Sequence, residues 1–262
     1  MHHFTYGWLT PTLSFVMACV GSALGLRCTV RALAATGRSR RNWLLTAALA
    51  IGSGIWTMHF IAMLGFGVSG SAIRYNVPLT VLSLVVAVLV VGAGVFTVGY
   101  GRSRAHSLLL GGLGAGLGVA AMHYIGMAAL RLHGGVGYDP LLVGLSVLIA
   151  VAAATAALWA ALTVYGTAGA TVASLVMGLA VSSMHYTGMA AVDVRLTPGQ
   201  AALPGATATE FIFPLTVVLG SFLFLTSAFV ALSPTAQQRA ESESAVRRLH
   251  DVEAHGAEAP AS

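Results

Sequence analysis

Three short runs in this sequence combine imidazole with thioether. They read Met58-His59-Phe60-Ile61-Ala62-Met63, Met122-His123-Tyr124-Ile125-Gly126-Met127 and Met184-His185-Tyr186-Thr187-Gly188-Met189, spaced 64 and 62 residues apart. In a helix, residues four apart share a face. His59 therefore stands over Met63, His123 over Met127 and His185 over Met189, while Met58, Met122 and Met184 lie about 100° around. Six of the nine methionines belong to these runs. Imidazole with thioether in a dry setting is a soft donor set. It suits copper, above all Cu(I), and is poorly matched to magnesium or calcium, which want oxygen. Zinc normally takes Cys, His or carboxylate. Iron stays open as haem, for which His/Met axial pairs are established.

The elements that must carry these runs follow from composition. Hydrophobic residues make up 57% of the 262-residue chain and charged residues only 8%, against roughly a quarter charged in soluble domains. That is too little charge to coat a water-facing surface. The apolar residues fall into runs of about 20 or more, long enough to cross a bilayer. We expect an all-α membrane protein with seven spans near 10–33, 43–66, 78–99, 108–130, 141–164, 169–192 and 211–232. The last six spans contain no Asp, Glu, Lys or Arg, so no carboxylate is at hand for zinc or for hydrolysis. All thirteen basic residues are Arg, which excludes lysine Schiff-base chemistry and, with it, retinal attachment. Cys19 and Cys28 both fall in the first span. Nine residues of helix separate them by about 13 Å, beyond the roughly 7 Å reach of a disulfide.

Arginine placement orients the spans. Arg38, Arg40 and Arg41 follow the first, Arg102 and Arg104 the third, and Arg239, Arg247 and Arg248 the seventh. On the other side Arg74, Arg131 and Arg195 are partly offset by Asp139, Asp193 and Glu210. The positive-inside rule gives an outer N-terminus and a cytoplasmic C-terminus, hence a multi-pass protein of the cytoplasmic (inner) membrane. The basic balance belongs to this orientation, so no nucleic-acid partner is expected; the lipid bilayer is. Residues 1–232 form the membrane domain and 233–262 a short polar cytoplasmic tail. Within the tail, 236–251 can form a polar helix with Val246, Leu249 and Val252 on one side, and about 30 residues are too few for an output domain.

The chain also repeats itself. Tyr6 precedes Ser14, Tyr75 precedes Ser83 and Tyr138 precedes Ser146, each by eight residues and each at the start of a span. Every such span is followed by one bearing a Met-His run. Three two-helix repeats with a final, unpaired helix therefore place all three histidines on the same membrane side. By these boundaries each lies seven residues, about 10 Å, below the outer end of its span, where they converge on one or two sites. A single buried His is commonly a hydrogen-bonded core residue. Ionisable groups inside a membrane are costly and usually functional, and three identically placed His/Met pairs point to a shared site.

Met-His-Tyr-Thr at 184–187 resembles the motif of the MHYT-domain integral membrane proteins, and the likeness spans roughly residues 6–232. The resemblance implies seven helices, copper chelation near the outer face and sensing of oxygen, carbon monoxide or nitric oxide. The ligand positions it implies are Met58, His59, Met63, Met122, His123, Met127, Met184, His185 and Met189, with Tyr124 and Tyr186 adjoining them. Phe60 removes the corresponding hydroxyl from the first copy, and only the third copy retains the Thr. Many members of that family carry cytoplasmic cyclic-di-GMP or kinase modules, which are not expected within these 262 residues.

Other features read as structural. His2 and His3 could chelate Cu(II) with a free amino terminus, whereas His106 and His133 are expected in solvated loops and His250 and His255 in the tail. Gly112/Gly116 and Gly114/Gly118 are expected to let helices pack closely; no strand precedes them, so a dinucleotide-binding loop is excluded. Tyr6, Tyr75, Tyr138 and Trp8 are expected at the lipid interface, with Asn76 and Asp139 as helix caps. The expected function is that of a sensor and not an enzyme. It holds copper near the outer face, responds to a diatomic gas or to redox state, and signals to a separate cytoplasmic partner. Copper transport or buffering and haem electron transfer are the alternatives.

Overall fold

The structure, a computed structural model, describes residues 7–164, 166–197, 202–233 and 244. Seven helices long and apolar enough to cross a membrane account for most of it. They are α1 (Leu9–Leu33), α2 (Gly37–Leu64), α3 (Val77–Tyr100), α4 (Arg104–Ala128), α5 (Pro140–Thr163), α6 (Gly166–Ala190) and α7 (Phe213–Leu232). The fold is that of a multi-pass, all-α membrane protein. The expected tail helix and His2, His3, Tyr6, His250 and His255 lie outside the described residues.

Local chemistry sets where the helices begin. Asn76 Oδ1 accepts from the Leu79 amide, and Asp139 Oδ1 accepts from the Leu141 and Leu142 amides. Pro78 and Pro140 follow in the first turns of α3 and α5, where a missing N–H costs nothing. Ahead of α7, Thr207 and Glu210 form a reciprocal capping box that opens one π-helical turn, Ala208–Ile212.

Three hairpins, α1–α2, α3–α4 and α5–α6, close into a ring, because α2 packs on α3, α4 on α5 and α6 back on α1. α7 stands outside the ring against α1 and α2, which helps to make α2 the most buried span. Small residues permit these approaches. A Cβ on Gly21 would lie 2.8 Å from Gly54 Cα, one on Gly52 2.7 Å from Val88 Cα, and one on Gly178 2.5 Å from Cys19 Sγ. Gly112 and Gly116 press in the same way on Thr155 and Val151 of α5, while Gly118 meets Val90 of α3. Gly114 does not pack as expected. It is exposed, and nothing lies near the Cβ it lacks.

Short strands join the loops at one end of the ring, hereafter the strand side. β1 (Arg74–Tyr75) pairs antiparallel with β2 (Leu130–Arg131), and β3 (Gly134–Tyr138) pairs antiparallel with β4 (Val192–Leu196). Tyr75 also exchanges backbone hydrogen bonds with Ala206. The loops after α2, α4 and α6 are thereby tied across the histidine end of the bundle. Tyr75 is accordingly buried against Phe60, not set at an interface, and burial pushes its phenol pKa up. Tyr138 is partly exposed and packs on Tyr124, while Trp8 is exposed.

The opposite end is the arginine side. There Arg40 donates to Ala35 O, Arg104 to Leu162 O, and Arg31 to both Val230 O and Ser233 O at 2.8 Å. These guanidinium groups satisfy carbonyls that helix C-termini leave unpaired. Arg31 also lies over the Trp43 ring, so one side chain ties α1, α2 and α7 together.

Candidate metal centre

α2, α4 and α6 carry the three Met-His runs at equivalent heights. His59, His123 and His185 each lie five residues before the last residue of their helix, Leu64, Ala128 and Ala190. That is about 7.5 Å along the axis, a shallower placement than the seven residues expected, because each helix ends two residues sooner. All three side chains are buried, and one candidate ligand atom from each lies within 4.8 Å of the others.

The imidazoles form a three-bladed ring. His59 Nδ1 stands 3.0 Å from His185 Nδ1 and 3.2 Å from His123 Nδ1. Ring centroids lie 4.9, 4.9 and 5.2 Å apart, with the planes near perpendicular in every pair. An imidazole Nδ1 has one in-plane site, which holds either a proton or a lone pair. His59 Nδ1 can therefore make a good hydrogen bond to only one of its two close neighbours. Protons alone leave the second contact unmet.

A single cation would meet lone pairs of all three rings together. Nitrogens about 2.0–2.1 Å from a common ion stand about 3–3.5 Å from one another, which matches the two contacts observed. Binding through Nδ1 puts the proton of each neutral ring on Nε2. His59 Nε2 and His123 Nε2 are buried without a hydrogen-bond partner among the described residues. They point at the fifth residue of the next repeat's run. A Cβ on Gly126 would lie 2.6 Å from His59 Nε2, and one on Gly188 would strike His123 Nε2. The donor set is all nitrogen at its centre, with no carboxylate in the cluster among the described residues. These residues fit a soft or borderline ion.

The methionines of the three runs lie in or against the core that holds these helices together. Met58, Met63, Met122, Met127 and Met184 are buried in the core, and Met189 packs against it, half-buried. The ring-bearing residue after each His lies edge-on to it: Phe60 at 4.7 Å, Tyr124 at 4.8 Å and Tyr186 at 5.0 Å between centroids.

The repeated serines acquire a role here. Ser14, Ser83 and Ser146 are all fully buried. Tyr124 Oη bonds Ser146 Oγ at 2.7 Å across α4 and α5. In the first copy Phe60 has no hydroxyl, and the Trp56 indole N–H donates to Ser83 Oγ at 2.9 Å instead. In the third copy Tyr186 Oη has no hydrogen-bond partner among the described residues, and Ser14 Oγ donates to Pro11 O. The Tyr-to-Ser spacing marks these serines in the sequence; Trp56 carries no such mark.

His106 is not in a loop but in the first turn of α4, 3.0 Å from Ser103 Oγ. His133 lies between β2 and β3, half-buried, with its backbone N–H donating to Ser71 Oγ. Cys19 and Cys28 are both on α1 and free.

Seven apolar helices in which three repeats each lend one imidazole to a shared buried ring define a class of membrane protein. The chain belongs to the MHYT family, described as a bacterial signalling protein N-terminal repeat, which matches residues 52–111, 116–174 and 178–244. It is 42% identical over 197 residues to the bifunctional diguanylate cyclase/cyclic di-GMP phosphodiesterase MucR of Pseudomonas aeruginosa, covering 73% of this chain and 29% of the relative. It is 36% identical over 249 residues to the cyclic di-GMP phosphodiesterase NbdA of the same organism, covering 91% and 31%. To the signalling protein YkoW of Bacillus subtilis it is 29% identical over 269 residues, covering 96% and 31%. The chain spans about a third of the length of these curated relatives. No solved structure matches it.

Proposed function

We propose that this chain is a copper-holding sensor of the cytoplasmic membrane, with its strand side outside and its arginine side in the cytoplasm. His59, His123 and His185 hold one ion through Nδ1, and the buried methionines of the three runs offer thioethers around it. The observation that carries this reading is the pair of short Nδ1 contacts at His59, of which protons can satisfy only one. Copper(I) in such a site supplies a soft centre able to change oxidation state or take up a diatomic gas such as oxygen, carbon monoxide or nitric oxide.

Imidazoles in contact, 3.0–3.2 Å apart at Nδ1, favour a single small ion over a porphyrin, whose iron needs two axial donors on opposite faces. The chain's residues would transmit the event. A change in the preferred separation of the imidazoles moves α2, α4 and α6 against one another, and to signal it must favour one of two packings. α2 touches α7, and Arg31 fastens the arginine-side end of α7 to the first hairpin. The output then reaches a cytoplasmic signalling partner. The cyclic-di-GMP enzymes named among the relatives suggest its class.

Elemental analysis and an optical spectrum of the purified protein test this beside a His59/His123/His185→Ala variant. One copper per chain, lost in the variant and without a Soret band, is expected. No metal in the parent after anaerobic Cu(I) loading would overturn the copper centre; a Soret band would replace it with haem.

A further inference from the structure

The axis of the ring continues as a cavity behind the histidines. One helical turn before each His, at i−4, stand Ile55, Val119 and Val181; two turns before, at i−8, stand Ile51, Ala115 and Met177. All six line one cavity of about 50 Å³ on the arginine side of the histidines, and Met184, adjoining His185, lines it as well. The remaining walls come chiefly from Val91 and Val95 of α3 and the alanine face of α5, including Ala150 and Ala153. The cavity thus lies between the three histidine-bearing helices, about one helical turn to the arginine side of the imidazoles, none of which lines it.

Its chemistry decides its contents. About 10–15 Å³ measured in this way is enough for one water, but a buried water needs two to four polar partners, and apolar cavities stay dry and take up apolar guests. Among the described residues, the Ser22 hydroxyl is the one side-chain hydrogen-bonding group in the lining; the other side chains are aliphatic or thioether. Dry space in a close-packed interior forfeits dispersion contacts. Three repeats nevertheless bring aliphatic or thioether side chains around the same void at two successive turns. Ala154 and Ala157 of α5 line the cavity and are only half-buried, which gives an apolar guest a lateral approach from lipid.

We propose that this axial cavity is a binding chamber for small apolar molecules of diatomic-gas size, held about one helical turn from the histidine ring on its arginine side. Its assignment as the antechamber of a gas sensor rests on the proposed function; its occupancy by an apolar guest does not. Crystals of the full chain pressurised with xenon test that occupancy without reference to metal. An anomalous peak is expected inside the Ile51, Ala115 and Met177 ring. Ala115→Leu, or Ala153→Leu from another helix should the first fail to fold, fills the space and abolishes the peak. Gly114→Leu, on an open helix face, leaves it intact. No xenon in the parent, ordered water in the cavity, or a peak that survives both filling variants would overturn the chamber. Copper measured on the same preparation separates that outcome from failure of the metal centre.

Discussion

The two halves of the bundle axis are built from opposite materials. Toward the strands, three imidazoles meet within hydrogen-bonding distance and every backing ring is packed edge-on. Toward the arginines, the same three helices present Ile, Val, Ala and Met to a void. The imidazoles are gathered at a single level, with a lining beneath them that is hydrocarbon and thioether apart from Ser22. In a membrane interior, where each unmet polar group costs several kcal/mol or about that, such segregation lets the ring be crowded without opening a wet path through the protein.

Several substitutions can break that contrast. The largest effect is expected at the ring, where His123→Ala or His185→Ala removes one of three donors and should abolish stoichiometric copper. Met177→Leu, in the hydrocarbon half, should leave copper content unchanged by elemental analysis. Loss of copper in Met177→Leu alone would make the lower half part of a metal path, as transport requires.

Next come Gly126→Ala and Gly188→Ala, whose new methyl groups press on His59 Nε2 and His123 Nε2. Changes of this kind behind a ligand cost about 10–100-fold in metal affinity, measurable by competition with a Cu(I) chelator. The first run already has Ala62 at this position, so Ala62→Gly should weaken binding less than either.

Smaller effects are expected in helix packing. Gly116→Ala would set a Cβ on the Val151 backbone and should lower stability by about 1–3 kcal/mol. Gly114→Ala, facing open space, should stay within about 0.5 kcal/mol. A thermal unfolding series in one detergent checks the pair.

The three copies supply the finest comparison. Tyr124→Phe removes a buried hydrogen bond to a repeated serine and should cost about 1 kcal/mol, while Trp56→Phe, which also empties space in the core, should cost more. Tyr186→Phe removes a hydroxyl with no partner among the described residues and should be neutral or stabilising. A cost at Tyr186 equal to that at Tyr124 would show that the third serine bond forms in the folded protein after all.

The helices were legible because bilayer-length hydropathy is a strong, local signal, and the caps at Asn76 and Asp139 were legible because capping is local chemistry. The strands were not. Gly134–Tyr138 is glycine-rich and pairs with a segment almost 60 residues away, and β1 has only two residues. Neither presents the long alternating run from which a strand can be read. Tyr75 was misplaced for the same reason, since only its pairing with the segments at 130 and 206 draws it inside. At the site, equal helix spacing announced that three histidines share a depth. It could not announce that they touch, nor which of Gly112, Gly114, Gly116 and Gly118 faces outward, because both depend on the rotation of each helix about its axis. The cavity rings at i−4 and i−8 were arithmetically available, but aliphatic residues at those positions look like any other part of a span.

The ring also bears on how such a protein could have arisen. One hairpin owns one imidazole, so a lone two-helix ancestor could gather three nitrogens only as a trimer, with assembly rising as the cube of its concentration. Joining the copies in one chain replaces that encounter with a local effective concentration set by short loops. It also frees the copies to diverge, since each need fit only its own neighbour. Phe60 and Ala62 fit that freedom: two positions of the first run differ from the pattern of the other two, and Trp56 makes the bond to the repeated serine that Tyr124 makes in the second copy.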